Sequence, residues 1–256
     1  MGKTNFYRHD SYFGELDKHR EVREKTKMDS KKVDQSEKVL NNFEDEFVSQ
    51  SRNEGPLVVV GSVSFFKKKS LGRGSNSVVF EGNFGQRRVA VKRILVDADE
   101  EKQSIQREIK IISKVDCHCN IVRFFHTESD DNFIYLALEL CDGTFDDYFS
   151  NTNEELKLKL QSAISKEEIF HQATIGLAHL HKNKIIHRDI KPHNLLISGS
   201  NEPYARVKIS DFGLSKIKKS EDSTISCSGM KGTLGWISPE VQLGEKMVTF
   251  KFSDVL

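Results

Sequence analysis

Residues 184–197 read KIIHRDIKPHNLLI, placing His187, Arg188, Asp189, Lys191, His193 and Asn194 between Ile185-Ile186 and Leu195-Leu196-Ile197. The apolar flanks read as short buried strands. A charged loop held between buried strands is costly unless its charges meet a ligand. The identity of that ligand follows from what surrounds the loop.

Downstream, the strand-like RVKIS (206–210) leads into SDFGL (210–214), and SPE follows at 238–240. Upstream, VAVK ends a strand-like run at Lys92, and REIKII places Glu108 on a helix. Further back, LGRGSNSVVF (71–80) sets Gly72 and Gly74 in a turn between strands, where backbone N–H groups can approach a phosphate with no Cβ in the way. Ser77 stands where a third glycine of G-x-G-x-x-G would be, and the following run is strand-like. Both features argue against a dinucleotide fold. A G-x-G hairpin or a strand-end lysine has an ordinary structural reading when alone. The motifs G-x-G, VAVK, REI, HRDIKPHN, DFG and SPE, met in this order, do not.

That constellation fits phosphoryl transfer from ATP. Glu108 would hold Lys92 toward the α- and β-phosphates, with Glu101 as the competing partner nearer the helix start. Asp189 would accept or orient a hydroxyl proton, and Lys191 would neutralise the transferring γ-phosphate. Asn194 and Asp211 would bind Mg²⁺, a hard cation for which two protein oxygen ligands plus phosphates suffice.

Residues from about 63 to 254 resemble a eukaryotic protein kinase domain. Lys191 two residues after Asp189, with Gly232-Thr233 before SPE, resembles the Ser/Thr class. The resemblance implies a hinge at Glu139 to Cys141 whose backbone reads adenine, with Leu138 as gatekeeper. It further implies that Leu71, Val79, Ala90 and Leu196 sandwich the ring. The runs VAVKRIL, NIVRFFHTESDDNFIYLALELCDGTFDDYF, IIHRDIKPHNLLIS, ISDFGLSK and GTLGWISPE are similar to the inositol-requiring kinase/endoribonuclease family. That family senses unfolded proteins and has RNase L as a cousin. The resemblance implies protein substrates with Ser or Thr acceptors, the chain itself included, and admits a homodimer. Between DFG and SPE, Ser220, Ser223, Thr224, Ser226 and Ser228 are acceptors whose phosphates Arg188 could pair with.

The organisation along the chain agrees with a two-lobed α+β fold. The charged stretch 1–55 has no steady apolar stripe and reads as linker or tail. Residues 56–141 form the expected β-rich lobe, with strands in VVVGSVSFF, VVFEGNF, RRVAVKRIL, IVRFFHTE and FIYLALEL. The helix ADEEKQSIQREIKIISKV is apolar at Ile105, Ile109, Ile112 and Val115. Residues 142–256 form the expected helical lobe, with helices in TFDDYFS and KEEIFHQATIGLAHLHKN. In the kinase pattern Ser253-Asp254-Val255 would open the central helix of that lobe, with Asp254 bracing the catalytic loop. The sequence stops there, so the expectation is an incomplete second lobe. A fragment that binds nucleotide or dimerises without catalysis is the alternative reading.

Composition narrows the partners. The 256 residues carry 39 Lys plus Arg against 38 Asp plus Glu, a formal charge of +1, so no global field points to nucleic acid. Four cysteines at 117, 119, 141 and 227 do not make a disulfide framework, and DCHC (116–119) lacks a second ligand pair at a zinc-like distance. The opening MGKTNFYRHD has no secretory core, and Phe6 occupies the position where myristoylation wants Ser or Thr. The longest strongly apolar run, PLVVV at 56–60, is far short of a membrane span. The expectation is a soluble, cytoplasmic chain.

Overall fold

The computed structural model describes residues 55–217, 224–226, 232–233, 235–237, 247–249 and 254. The charged segment 1–54, the acceptors Ser220, Ser223 and Ser228, SPE at 238–240, Ser253 and Val255 lie outside the described residues.

The first lobe is a six-stranded antiparallel sheet: β1 (Leu57–Val60), β2 (Val63–Arg73), β3 (Ser77–Phe84), β4 (Arg87–Leu95), β5 (Phe124–Ser129) and β6 (Phe133–Glu139), in the order β1-β2-β3-β4-β6-β5. VVVGSVSFF, expected as one strand, is two. Val60 pairs with Val63 across a two-residue turn in which Gly61 takes φ +56°, a conformation that glycine adopts without strain. Alternation then separates two faces. Val63, Phe65, Phe80, Val89, Val91, Tyr135 and Ala137 form one core, with Phe65 and Phe80 stacked at 4.7 Å. On the other face Ile94, Ile134 and Leu136 pack against Ile105 of helix α1 (Asp99–Val115).

Helix α1 begins with Asp99, Glu100 and Glu101, whose charges suit the positive end of the helix dipole. Its buried stripe is Ile105, Ile111, Ile112 and Val115; Ile109 is only partly buried. Ile111, Ile112 and Val115 join the core of the second lobe, so the helix touches both.

The second lobe is built on α2 (Glu154–Ala163) and α3 (Lys166–Lys182). Each is capped by the side chain before it: Asn153 accepts from Leu156 N–H and Ser165 from Glu168 N–H. Ile169, Ala173, Leu177 and Leu180 recur at helical spacing on the buried face of α3. Gly176 lets that helix come close to its neighbours: a Cβ there would lie 2.9 Å from Ile209 Cδ1 and 3.0 Å from the Asn120 carbonyl.

Short strands complete the lobe. β7 (Gly143–Thr144), β9 (Leu195–Ser198) and β10 (Arg206–Ile209) form a three-stranded sheet, while β8 (Ile185–Ile186) pairs with β11 (Lys216–Ile217). The expected strands flanking the charged loop are therefore β8 and β9. TFDDYFS, expected as helix, instead pairs Thr144 with Leu196 and then turns. The cause is local: the Asp147 carboxylate accepts from Thr144 N–H and Oγ1–H, a side-chain alternative to helical bonding. Two further strands, β12 (Thr224–Ser226) and β13 (Met247–Thr249), pair antiparallel. Among the described residues no helix is long and apolar enough to cross a membrane.

Candidate active site

The loop between β8 and β9 is fixed from three directions. His187 is fully buried; its Nε2 lies 2.9 Å from the Ser210 carbonyl and its Nδ1 accepts from Asp189 N–H at 3.3 Å. Its ring meets Phe212 edge-on at 5.2 Å. Arg188 holds φ at +67°, strained for a side-chain-bearing residue. The Asp254 carboxylate over-determines that conformation, accepting from His187 N–H at 2.8 Å and Arg188 N–H at 2.6 Å, with His181 Nε2 at 3.0 Å. Burial would push the Asp254 carboxyl up, but His181 and the other donors outweigh it and hold the group below the ordinary aspartate range. The Arg188 guanidinium donates to the Leu214 carbonyl through Nε at 2.7 Å and also through Nη2.

Asp189 sits at the centre of a second network. One oxygen accepts from Thr233 Oγ1–H at 2.7 Å and Thr233 N–H at 3.2 Å. The other lies 2.9 Å from both Lys191 Nζ and Asn194 Nδ2. Lys191 also donates to Thr233 Oγ1 at 2.6 Å. Burial alone would raise the Asp189 pKa; the bonds from Lys191, Thr233 and Asn194 win, so the group is held as a carboxylate.

A third cluster joins the lobes. Lys92 Nζ lies 2.7 Å from Glu108 Oε1 and 2.9 Å from Asp211 Oδ1. Burial pulls the Lys92 pKa down, but the charges of Glu108 and Asp211 overcome it and lift the group above the ordinary lysine value. Lys92 in turn holds the Asp211 carboxyl below its usual range. Glu101 is not the partner: it accepts from Asn76 Nδ2 at 3.1 Å and Asp97 N–H at 2.8 Å. Asp211, like Arg188, has positive φ, here +63°.

Strand register sorts the remaining residues. Val79 pairs with Lys92, Lys92 with Leu136 and Ala90 with Leu138, so Val79, Ala90, Lys92, Leu136 and Leu138 share one sheet face. Leu196 lies on β9 opposite Thr144 and Lys208. Gly72 lies one residue before the end of β2, opposite Val79, inside the strand rather than in the turn; a Cβ there would meet open space. Gly74 makes the turn, donating to the Ser77 carbonyl at 2.8 Å. Leu71 is exposed. The Glu139 side chain is engaged with Lys208 at 2.9 Å and with Arg123 N–H at 3.1 Å. Burial, then the charge of Glu139, pushes the Cys141 thiol up to about 12.

The donor set fits a magnesium–nucleotide group. Asp211 offers a half-exposed carboxylate and Asn194 an amide oxygen, both hard ligands, and Ser210 N–H donates to the Asn194 carbonyl at 2.9 Å, tying the two segments together. Among the described residues no three His, Cys, Asp or Glu side chains gather as a metal cluster, so phosphate oxygens would have to complete the shell. Thr233 and Lys208 carried no assigned role in the sequence reading. Their partners lie far along the chain: Thr233 is legible only as part of the Gly232-Thr233 class marker before SPE, and Lys208 belongs to no spacing that marks chemistry. Of the five acceptors, Thr224 and Ser226 fall on β12.

The chain matches the protein kinase domain family over residues 65–255. It is 41% identical over 193 residues to the serine/threonine-protein kinase/endoribonuclease ire-1 of Caenorhabditis elegans, covering 73% of this chain and 19% of that protein. Against the human serine/threonine-protein kinase/endoribonuclease IRE2 the identity is 40% over 188 residues, covering 72% and 19% respectively. The sensor for unfolded proteins in the ER, ire1, of Schizosaccharomyces pombe is 33% identical over 201 residues, covering 75% and 18%. The chain thus spans about a fifth of the length of the curated relatives it matches. With three polar networks on the expected motifs and a family match across most of its length, the chain belongs to the protein kinase family.

Proposed function

We propose that the chain is an ATP-dependent serine/threonine protein kinase of the unfolded-protein-sensor type, whose acceptors include hydroxyls of its own segment 215–233. The observation that carries this reading is the pair of closed networks on Lys92 and Asp189, each assembled from residues distant in sequence. Lys92, oriented by Glu108, positions the α- and β-phosphates. Val79, Ala90 and Leu196 hold the purine, with Leu71 and Gly72 at the end of β2 and the turn at Gly74 beside it and the backbone of Glu139 to Cys141 reading its edge. Asn194 and Asp211 would hold Mg²⁺, which when bound would neutralise phosphate charge. Asp189, kept ionised by its donors, orients the Ser or Thr hydroxyl and takes its proton as the new O–P bond forms and the bond from the γ-phosphorus to the β–γ bridging oxygen breaks, leaving ADP. Lys191 sits beside that carboxylate, where its charge offsets the negative charge of the transferring phosphoryl group.

The reading supports a protein partner, with a second copy of the chain as one such partner, and a cytosolic setting where ATP is available. The test is transfer of labelled γ-phosphate from Mg-ATP by the purified chain. Label should be lost in Lys92→Ala and Asp211→Asn; undiminished transfer in either would refute the assigned roles.

A further inference from the structure

The carboxylate of Glu139 does more than end a strand. Its Oε1 lies 2.9 Å from Lys208 Nζ on β10, and its Oε2 accepts from Arg123 N–H at 3.1 Å. Its own N–H donates to the Arg123 carbonyl at 2.9 Å, so Glu139 is tied to Arg123 by both backbone and side chain. The Lys208 and Glu139 side chains are only 13% and 21% exposed, which screens the pair little.

What Lys208 stands on is unusually fixed. On one edge β10 pairs with β9, setting Lys208 opposite Leu196. On the other edge Ile209 N–H donates to the Asn120 carbonyl at 2.9 Å and Val122 N–H to the Ile209 carbonyl at 3.0 Å. Buried Gln172 and Asn120 lock the same strand: Val207 N–H donates to Gln172 Oε1 at 2.9 Å, and Asn120 Nδ2 to the Val207 carbonyl at 3.0 Å. The segment running from Asn120 to Arg123 and strand β10 thus lie side by side, and the Glu139 carboxylate puts one oxygen on each.

We propose that Lys208 is a positioning residue for nucleotide selectivity: through Glu139 it clamps the hinge backbone at the height where that backbone meets a purine edge. The inference rests on the nucleotide-binding reading above and assigns to it a residue outside the motifs. The clamp acts on base recognition, which depends on hinge placement, and leaves the phosphate end to Lys92 and Asp211.

The test is calorimetric titration of the full chain with ADP and, separately, with GDP. Lys208→Met keeps the side-chain length and removes the charge. Glu139→Gln keeps an oxygen for Arg123 N–H and removes the partner charge. Each should weaken ADP binding by about fivefold, the range of coupled neighbours, while GDP binding changes less, so the ADP-to-GDP preference falls. The double variant should be no weaker than either single change, and Lys208→Arg should restore the preference. A general loss of packing would lower both affinities together and would overturn the proposal. So would an unchanged preference in both single variants. If the unmutated chain binds no ADP, the functional reading itself fails, and that outcome is distinct from the loss of the clamp alone.

Discussion

Replacing Asp254 by Asn removes one charge and leaves the shape of the side chain intact. In the native chain one carboxylate oxygen receives Arg188 N–H and the other receives His187 N–H with His181 Nε2 nearby. An amide keeps only one accepting oxygen and turns an NH₂ toward the remaining donor. Losing one charge-assisted bond in a buried site costs roughly 1.5–3 kcal/mol. The strained φ of Arg188 then also lacks its brace, a further ~1 kcal/mol. The expected loss is about 2.5–4 kcal/mol, a large share of a typical ~5–15 kcal/mol margin. Urea unfolding followed by circular dichroism at neutral pH measures it. The sign with pH follows from the depressed carboxyl. Its contribution is full above the ordinary aspartate value near ~3.9 and is lost as pH falls through the folded-state value. The gap between native and variant should therefore close in acid. A variant within about 0.5 kcal/mol of the native chain at neutral pH, or a gap that does not shrink in acid, would refute the bracing argument.

Other outcomes follow from the same contacts. Thr233→Ala removes a donor to Asp189 and an acceptor for Lys191, so single-turnover phosphotransfer should slow by about 5- to 30-fold, and Thr233→Ser should recover most of it. Gly176→Ala puts a Cβ against Ile209 and the Asn120 backbone; despite the helix-propensity gain it should lower stability by about 1–3 kcal/mol in thermal melts. The Cys141 thiol, pushed up to about 12, stays protonated near neutral pH, so mass spectrometry after brief iodoacetamide treatment should find exposed Cys117 and Cys119 modified before it. Cys141 reacting first would contradict the burial assigned to it.

The parts of this site that could be read from the sequence are those where chemistry dictates residue type. Asp189, Lys191, Asn194, Asp211 and Lys92 each need one charge or donor set at a fixed place, so their spacing carries the signal. Glu108 could be placed because helical period sets it on the face toward Lys92, and the 2.7 Å contact follows. Elements decided by distant partners were harder to read. TFDDYFS carries a helix-like composition, yet pairing with Leu196 and the Asp147 side chain turn it aside. Helix α2 had its signal in Asn153 followed by two glutamates, a cap before an acidic first turn. Lys208 had none, since its partner Glu139 lies across the fold and a lone strand lysine is ordinarily solvated.

The most direct test of the central claim is mass spectrometry of the purified chain after incubation with Mg-ATP, beside an Asp189→Asn control. The account predicts phosphate on Ser or Thr between residues 215 and 233 in the unmutated chain and none in the control. Phosphate at equal levels in both, or in neither, would contradict it.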